Sequence, residues 1–181
     1  SFFATDTTDE ITLISSGITN PAVNRWKFRN IGKTRRLGIE LEAEQKWGDF
    51  EFSQSLTFVD TKVLKTDKES NIYRGDKVPM VPNIKATLGL KYNVTDNLSL
   101  IGTYTYLSKR ETRELDEKDK VYKHTIKGYG TADLGVLYKV DKYSNFKVGA
   151  KNLFGKKYNL RETKLEALPA PERNYYLEFN V

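Results

Sequence analysis

Seven side chains in two charged stretches are the ones best suited to hold a small ligand. Tyr73, Arg74 and Lys77 lie in the first, and Arg110, Arg113, Tyr122 and His124 in the second. Arginine offers paired donors to an oxyanion, and tyrosine offers a face on which a flat group or a cation can rest. That mixture suits capture of an anionic molecule. Bond-making chemistry is harder to assemble from the same chain. His124 is the only histidine and there is no cysteine, so nothing completes a metal site around it. A serine hydrolase would need His124 fixed in a strand beside a nucleophile, and it lies in a charged connection instead. Glu40, Glu42 and Glu44 invite an acid–base reading, but spacing by two on a strand makes them a polar stripe on one face. No glycine-rich loop follows a strand to cradle a phosphate. These residues predict a binding role, with no catalysis, no cofactor and no metal.

The elements that must position them are strands. Phe146, Val148 and Ala150 alternate with Lys147, Gly149 and Lys151, and Leu177, Phe179 and Val181 alternate with Tyr176, Glu178 and Asn180. A period of two marks a strand with different surroundings on its two faces. The pattern recurs along the chain, giving about eight candidates: Phe2 to Leu13, Trp26 to Trp47 with a break near Gly32, Phe50 to Val63, Ile84 to Val94, Leu98 to Leu107, Tyr129 to Val140, a seventh from Phe146 and an eighth ending at Val181. Short turns at Gly48-Asp49, Asp96-Asn97 and Asp141 to Asn145 alternate with four longer polar connections. The first of those holds Gly17 and Asn20-Pro21, the second ends in Val78-Pro79-Met80-Val81-Pro82, the third is Ser108 to Lys127, and the fourth is Asn159 to Arg173. The short turns therefore share one edge of a sheet and the long loops the other. Strands of about 10 residues, tilted, cross a bilayer. Short turns on one side and long loops on the other is the pattern of a transmembrane barrel.

Composition narrows the choice without settling it. Apolar residues make up 38% of the chain, and none of their runs approaches the ~20 residues of a membrane helix. That test is blind to barrels, whose strands are half apolar. The net charge of +6 comes from 30 basic and 24 acidic residues interleaved along the chain, which is a solvated face rather than a nucleic-acid patch. Glu40, Glu42, Glu44, Lys85, Lys91, Asp133, Lys147 and Lys151 load the polar faces too heavily for a dry core. They require water, either outside a soluble barrel or inside a wet lumen. Trp47, Tyr92, Tyr138, Tyr143 and Phe146 gather near the short turns, as an interfacial girdle would. Alternation alone leaves three arrangements open: part of a large barrel, a complete eight-stranded barrel with an anchoring role, and a soluble ligand-binding barrel.

Four segments add a resemblance. NLFGKKY (Asn152 to Tyr158), PAPERNYYLEF (Pro169 to Phe179), NIGKTRRLGIELEAE (Asn30 to Glu44) and VPMVPNIKATLGLKY (Val78 to Tyr92) resemble, in order, segments of the C-terminal barrel of TonB-dependent outer-membrane receptors. The resemblance implies an antiparallel up-and-down barrel of about 22 strands, of which this chain supplies the last eight or so. It implies a bacterial outer-membrane location, with lipid around the wall. It also implies active uptake of a scarce chelate (ferric siderophore, haem or cobalamin) driven by the TonB complex through a plug domain. Ser1 to Thr5 reads as the middle of a strand, so plug and TonB-box segments are expected on a longer chain. Val181 stands where the family ends on an aromatic, so one or two further residues are expected there.

Overall fold

The computed structural model describes residues 1–15, 26–66, 72–115, 121–163 and 167–181. The connection with Gly17 and Asn20-Pro21 lies outside them. Twelve strands are formed among the described residues: β1 (Phe2–Ser15), β2 (Trp26–Trp47), β3 (Phe50–Lys65), β4 (Ile84–Asn93), β5 (Leu98–Leu107), β6 (Arg110–Leu115), β7 (Val121–Ile126), β8 (Tyr129–Lys139), β9 (Asn145–Lys151), β10 (Asn159–Glu162), β11 (Ala167–Pro169) and β12 (Asn174–Asn180). Eight of them make a wall in the order β12-β9-β8-β5-β4-β3-β2-β1, every neighbour antiparallel. The other four are two hairpins inside the long connections, β6–β7 and β10–β11. Ser108 to Lys127 is thus not the open loop that its charges suggest. Its hairpin reaches far enough to touch the end of β1 through one parallel bridge, Ser15 to Glu114.

The register sorts the side chains by face. Ile39 pairs with Phe58, Leu41 with Leu56, Leu88 with Tyr104, Leu134 with Ala150 and Val148 with Leu177, all on one face. Glu40, Glu42, Lys85, Asp133 and Lys147 stand on the other. The apolar face is open: Leu88 is 53% exposed, Leu134 47% and Val148 50%. A soluble ligand-binding barrel would bury these three residues, so that alternative fails. The loops fold instead onto the polar face. There Ile31, Val63, Ile72 and Val78 form the one buried apolar cluster among the described residues, at the long-loop end. A water-soluble protein seldom exposes an apolar patch beyond a few hundred Å². This band runs across the whole wall.

The complete eight-stranded barrel fails too. It would pair β1 with β12, and no hydrogen-bonded ladder joins those two strands among the described residues. β12 bonds only to β9, and β1 begins opposite Glu40, so Leu41 to Trp47 have no neighbour on that edge among the described residues. The predicted break near Gly32 is also corrected. β2 runs unbroken through it, and the irregularity is a set of register changes, against β1 between Thr7 and Glu10 and between Glu10 and Ile11, and against β3 between Lys33 and Thr34. Gly32 takes φ +82°, and a Cβ there would lie 2.3 Å from the Lys65 carbonyl oxygen, so only glycine fits.

At the short-turn end Phe50 stacks on Tyr92 with centroids 4.6 Å apart, and Phe146 on Phe179 at 4.5 Å. The Asp141 carboxylate closes the last short turn by accepting the Tyr143 and Ser144 amides, at 2.7 and 2.8 Å. Those two donors hold its pKa below the usual carboxylate range. On the polar face the Tyr176 ring lies between the Lys147 and Lys151 ammonium groups, each 5.5 Å from its centroid. Gly135 and Gly149 make room for it, since a Cβ on either would come within 2.8 and 2.6 Å of the hydroxyl.

Candidate ligand-binding loop cluster

The β6–β7 hairpin is a plate held between two other loops. Strand parity gives it two faces. Arg110 and Thr112 share one with His124 and Ile126, while Glu111 and Arg113 share the other with Lys123 and Thr125. Arg110 and Arg113 are three residues apart, so they point in opposite directions.

The Arg113 face meets the connection between β3 and β4. Arg113 is 2% exposed. Its Nη2 is 3.4 Å from Asp76 Oδ1 and its Nη1 3.1 Å from Glu111 Oε2. Asp76 also takes Lys123 Nζ at 3.1 Å and the Tyr73 amide at 3.0 Å. Burial pushes the Asp76 carboxyl up, but the Tyr73 amide, Lys123 and Arg113 outweigh it and leave the group below its ordinary range. Two main-chain bonds tie the same loops down: the Met80 amide donates to the Glu111 carbonyl at 2.7 Å, and the Val63 amide to the Asp76 carbonyl at 2.8 Å. The Val78 amide donates to Thr61 Oγ1 at 3.0 Å.

The Arg110 face meets the connection after β9. Arg110 Nη2 donates to the carbonyls of Asn159, at 3.1 Å, and of Leu160. His124 Nε2 is 3.4 Å from Glu162 Oε1. Asn159 Nδ2 donates to the other Glu162 oxygen at 2.7 Å. The Asn159 bond is the largest influence and holds the Glu162 carboxyl below its usual range; burial opposes it, and the neighbouring His124 and Lys127 add smaller lowering effects.

The seven residues singled out in the sequence therefore divide three ways. Arg110, Arg113 and His124 are drawn into the contacts between loops. The two arginines are buried. Tyr122 shares the His124 face and is half-buried. Tyr73 is 61% exposed and Arg74 is exposed beside it, at the rim. Lys77 turns aside, donating to Asn83 Oδ1 at 2.8 Å and lying 3.9 Å from Asp60. Asp76, Glu111, Asn159 and Glu162 were not singled out, because nothing in their sequence neighbourhood marks them as partners of distant arginines.

One motif shows its physical purpose. In NLFGKKY, Asn152 takes φ +49° and is buried, its side chain accepting the Lys156 amide at 2.8 Å and donating to the Lys156 carbonyl at 2.9 Å. Its own amide donates to Asp133 Oδ1 at 2.8 Å. The segment is a locked turn that sends the chain off β9 toward the last loop.

An antiparallel wall with its apolar side outward, open at both edges and covered at one end by loops lying on its polar side, is part of a receptor-type β-barrel. The family described as TonB dependent receptor-like, beta-barrel matches residues 1–153, and the chain belongs to that family. It is 25% identical over 177 residues to the probable TonB-dependent siderophore receptor PirA of Acinetobacter baumannii, and 26% identical over 157 residues to PiuA of the same organism. These alignments cover 90% and 77% of this chain but only 22% and 19% of the relatives, so it spans about a fifth of their length. The crystal structure of PirA superposes with a TM-score of 0.71 at 21% identity, covering 99% of this chain and 28% of that one. The copper transporter OprC gives 0.71 at 20%, with the same coverage. The ferripyoverdine receptor of Pseudomonas aeruginosa gives 0.69 at 19%, covering 99% and 24%. The wall is shared across all three.

Proposed function

We propose that this chain is the C-terminal part of a bacterial outer-membrane receptor that takes up a metal chelate of the siderophore type, driven by the TonB complex through a plug domain. It supplies wall strands and exterior loops and carries out no catalysis. The observation behind this reading is the sidedness of the wall. Its apolar band faces outward, where hydrocarbon would cover it, and its charges face inward, where water would. The open edges at β12 and along Leu41 to Trp47 call for further strands on either side, because an unpaired edge in a bilayer leaves backbone groups without partners. The relatives named as siderophore receptors support the class of cargo.

Within the loop cluster, Tyr73 and Arg74 are the proposed first contacts for an anionic chelate. Tyr122 and His124 stand behind them, and Arg110 and Arg113 keep the loops together. Radioiron uptake by cells making the complete receptor tests this. A protonophore should abolish accumulation while leaving surface binding of the ferric siderophore intact. Arg74→Ala should weaken that binding about tenfold, the value of a charge-assisted hydrogen bond. Accumulation that ignores the protonophore, or a receptor that binds no ferric siderophore, would refute the reading.

A further inference from the structure

The outward face of the wall changes character abruptly near the long-loop end. Along β1, β2 and β3 successive cross-strand rows read Phe2, Ile39, Phe58, then Ala4, Leu37, Asp60, then Asp6, Arg35, Lys62. Two residues, about 7 Å of strand, separate lipid-type side chains from a row that sets Arg35 against Lys62. Directly opposed like charges destabilise a sheet unless something neutralises them. Asp6 answers only part of this. It holds Arg35 through two bonds of 2.7 and 2.9 Å and Lys33 at 3.3 Å. Asp60 reaches only Lys77, at 3.9 Å. Lys62 is exposed and makes no ion pair among the described residues. The patch holds four cations, Lys33, Arg35, Lys62 and Lys77, against two carboxylates. The other end of the same face carries Phe50, Tyr92, Phe146 and Phe179 instead. Neighbouring Lys65 and Asp9, which line the cleft beside Lys33, leave the excess unchanged.

We propose that this patch binds the phosphate groups of anionic lipids whose chains cover the apolar band below it. The inference rests on the membrane reading of that band. Its position decides the class of ligand: the cations lie one step beyond the last exposed leucine, at the height where lipid headgroups would lie, and they face away from the lumen. Lys62 is the unneutralised donor, while Arg35 and Lys33 are already oriented by Asp6.

The test uses the complete receptor purified in a neutral detergent, with native mass spectrometry counting the phosphatidic acid and phosphatidylcholine molecules retained. Phosphatidic acid should be retained in preference. Lys62→Gln should lower that preference about fivefold, the effect of one cation near a charged lipid surface. Asp60→Asn, which removes a carboxylate from the patch, should raise it. Millimolar inorganic phosphate should not displace the lipid. Equal retention of the two lipids, an unchanged preference in Lys62→Gln, or displacement by inorganic phosphate alone would overturn the proposal. Failure of the membrane reading would look different: neither lipid retained, and a receptor that stays monodisperse without detergent.

Discussion

Replacing Asp76 by asparagine removes one charge from the loop cluster and almost nothing else. The amide oxygen can still accept the Tyr73 amide, now 3.0 Å from the carboxylate. What changes is the environment of the exposed Lys123, 3.1 Å from the carboxylate, and above all that of Arg113, whose guanidinium is buried with Asp76 at 3.4 Å and Glu111 at 3.1 Å as its carboxylates. Breaking a buried ion pair by removing one partner costs about 3–5 kcal/mol. Glu111 remains, partly exposed, and the asparagine still offers an acceptor, so about 2–3 kcal/mol is the expected loss. That corresponds to an opening constant about 30- to 150-fold larger. Hydrogen exchange followed by mass spectrometry on the complete receptor reads it directly. The reporters are the Met80 amide, bonded to Glu111, and the Val63 amide, bonded to Asp76. Peptides over 61–65, 72–83 and 110–115 should exchange faster by that factor, and β4 and β5 should not change. The acid dependence supplies a second readout. The folded Asp76 carboxyl titrates below its ordinary range, so its stabilisation is complete above about pH 4 and is lost as the pH falls through the folded value. Asp76→Asn should lack that acid step. Unchanged exchange in the loops, or equal acceleration in loops and wall, would show that the pair does not hold the cluster.

Two further substitutions probe the wall. Leu88→Arg places a charge on the outward face, where a bilayer midplane costs about 2–4 kcal/mol, whereas Thr87→Arg next to it faces the lumen and should cost far less; equal losses in thermal unfolding of the reconstituted receptor would mean the faces are reversed. Gly135→Ala sets a Cβ 2.8 Å from the Tyr176 hydroxyl and should lower stability by about 1–3 kcal/mol, an overpacking cost that Tyr176→Phe relieves in the double variant by removing the obstructing oxygen; an additive double variant would place the strain elsewhere.

The wall was legible because each strand separates two media. Leu37, Ile39 and Leu41 against Gly38, Glu40 and Glu42 could be read from residue types alone, and the observed β2 has the predicted bounds, Trp26 and Trp47. Even so, the alternation left three arrangements standing, since it reports that two faces differ and not which one meets water. The loop hairpins were illegible for the complementary reason. Arg110 to Leu115 is polar on both faces and carries no apolar period to detect. In the structure both arginines hold loop to loop through polar contacts. Arg113 depends on Asp76 and Arg110 on carbonyls at 159 and 160, contacts between segments far apart in the chain. Gly32 shows the same limit inside a strand: the residue type announces an irregularity, but only the approach of the Lys65 carbonyl distinguishes a shift of register from a break. It follows that ligand preference should change most readily at Tyr73 and Arg74, whose side chains make no hydrogen bond or ion pair among the described residues, while changes at Arg110 or Arg113 should first be felt as loosened loops.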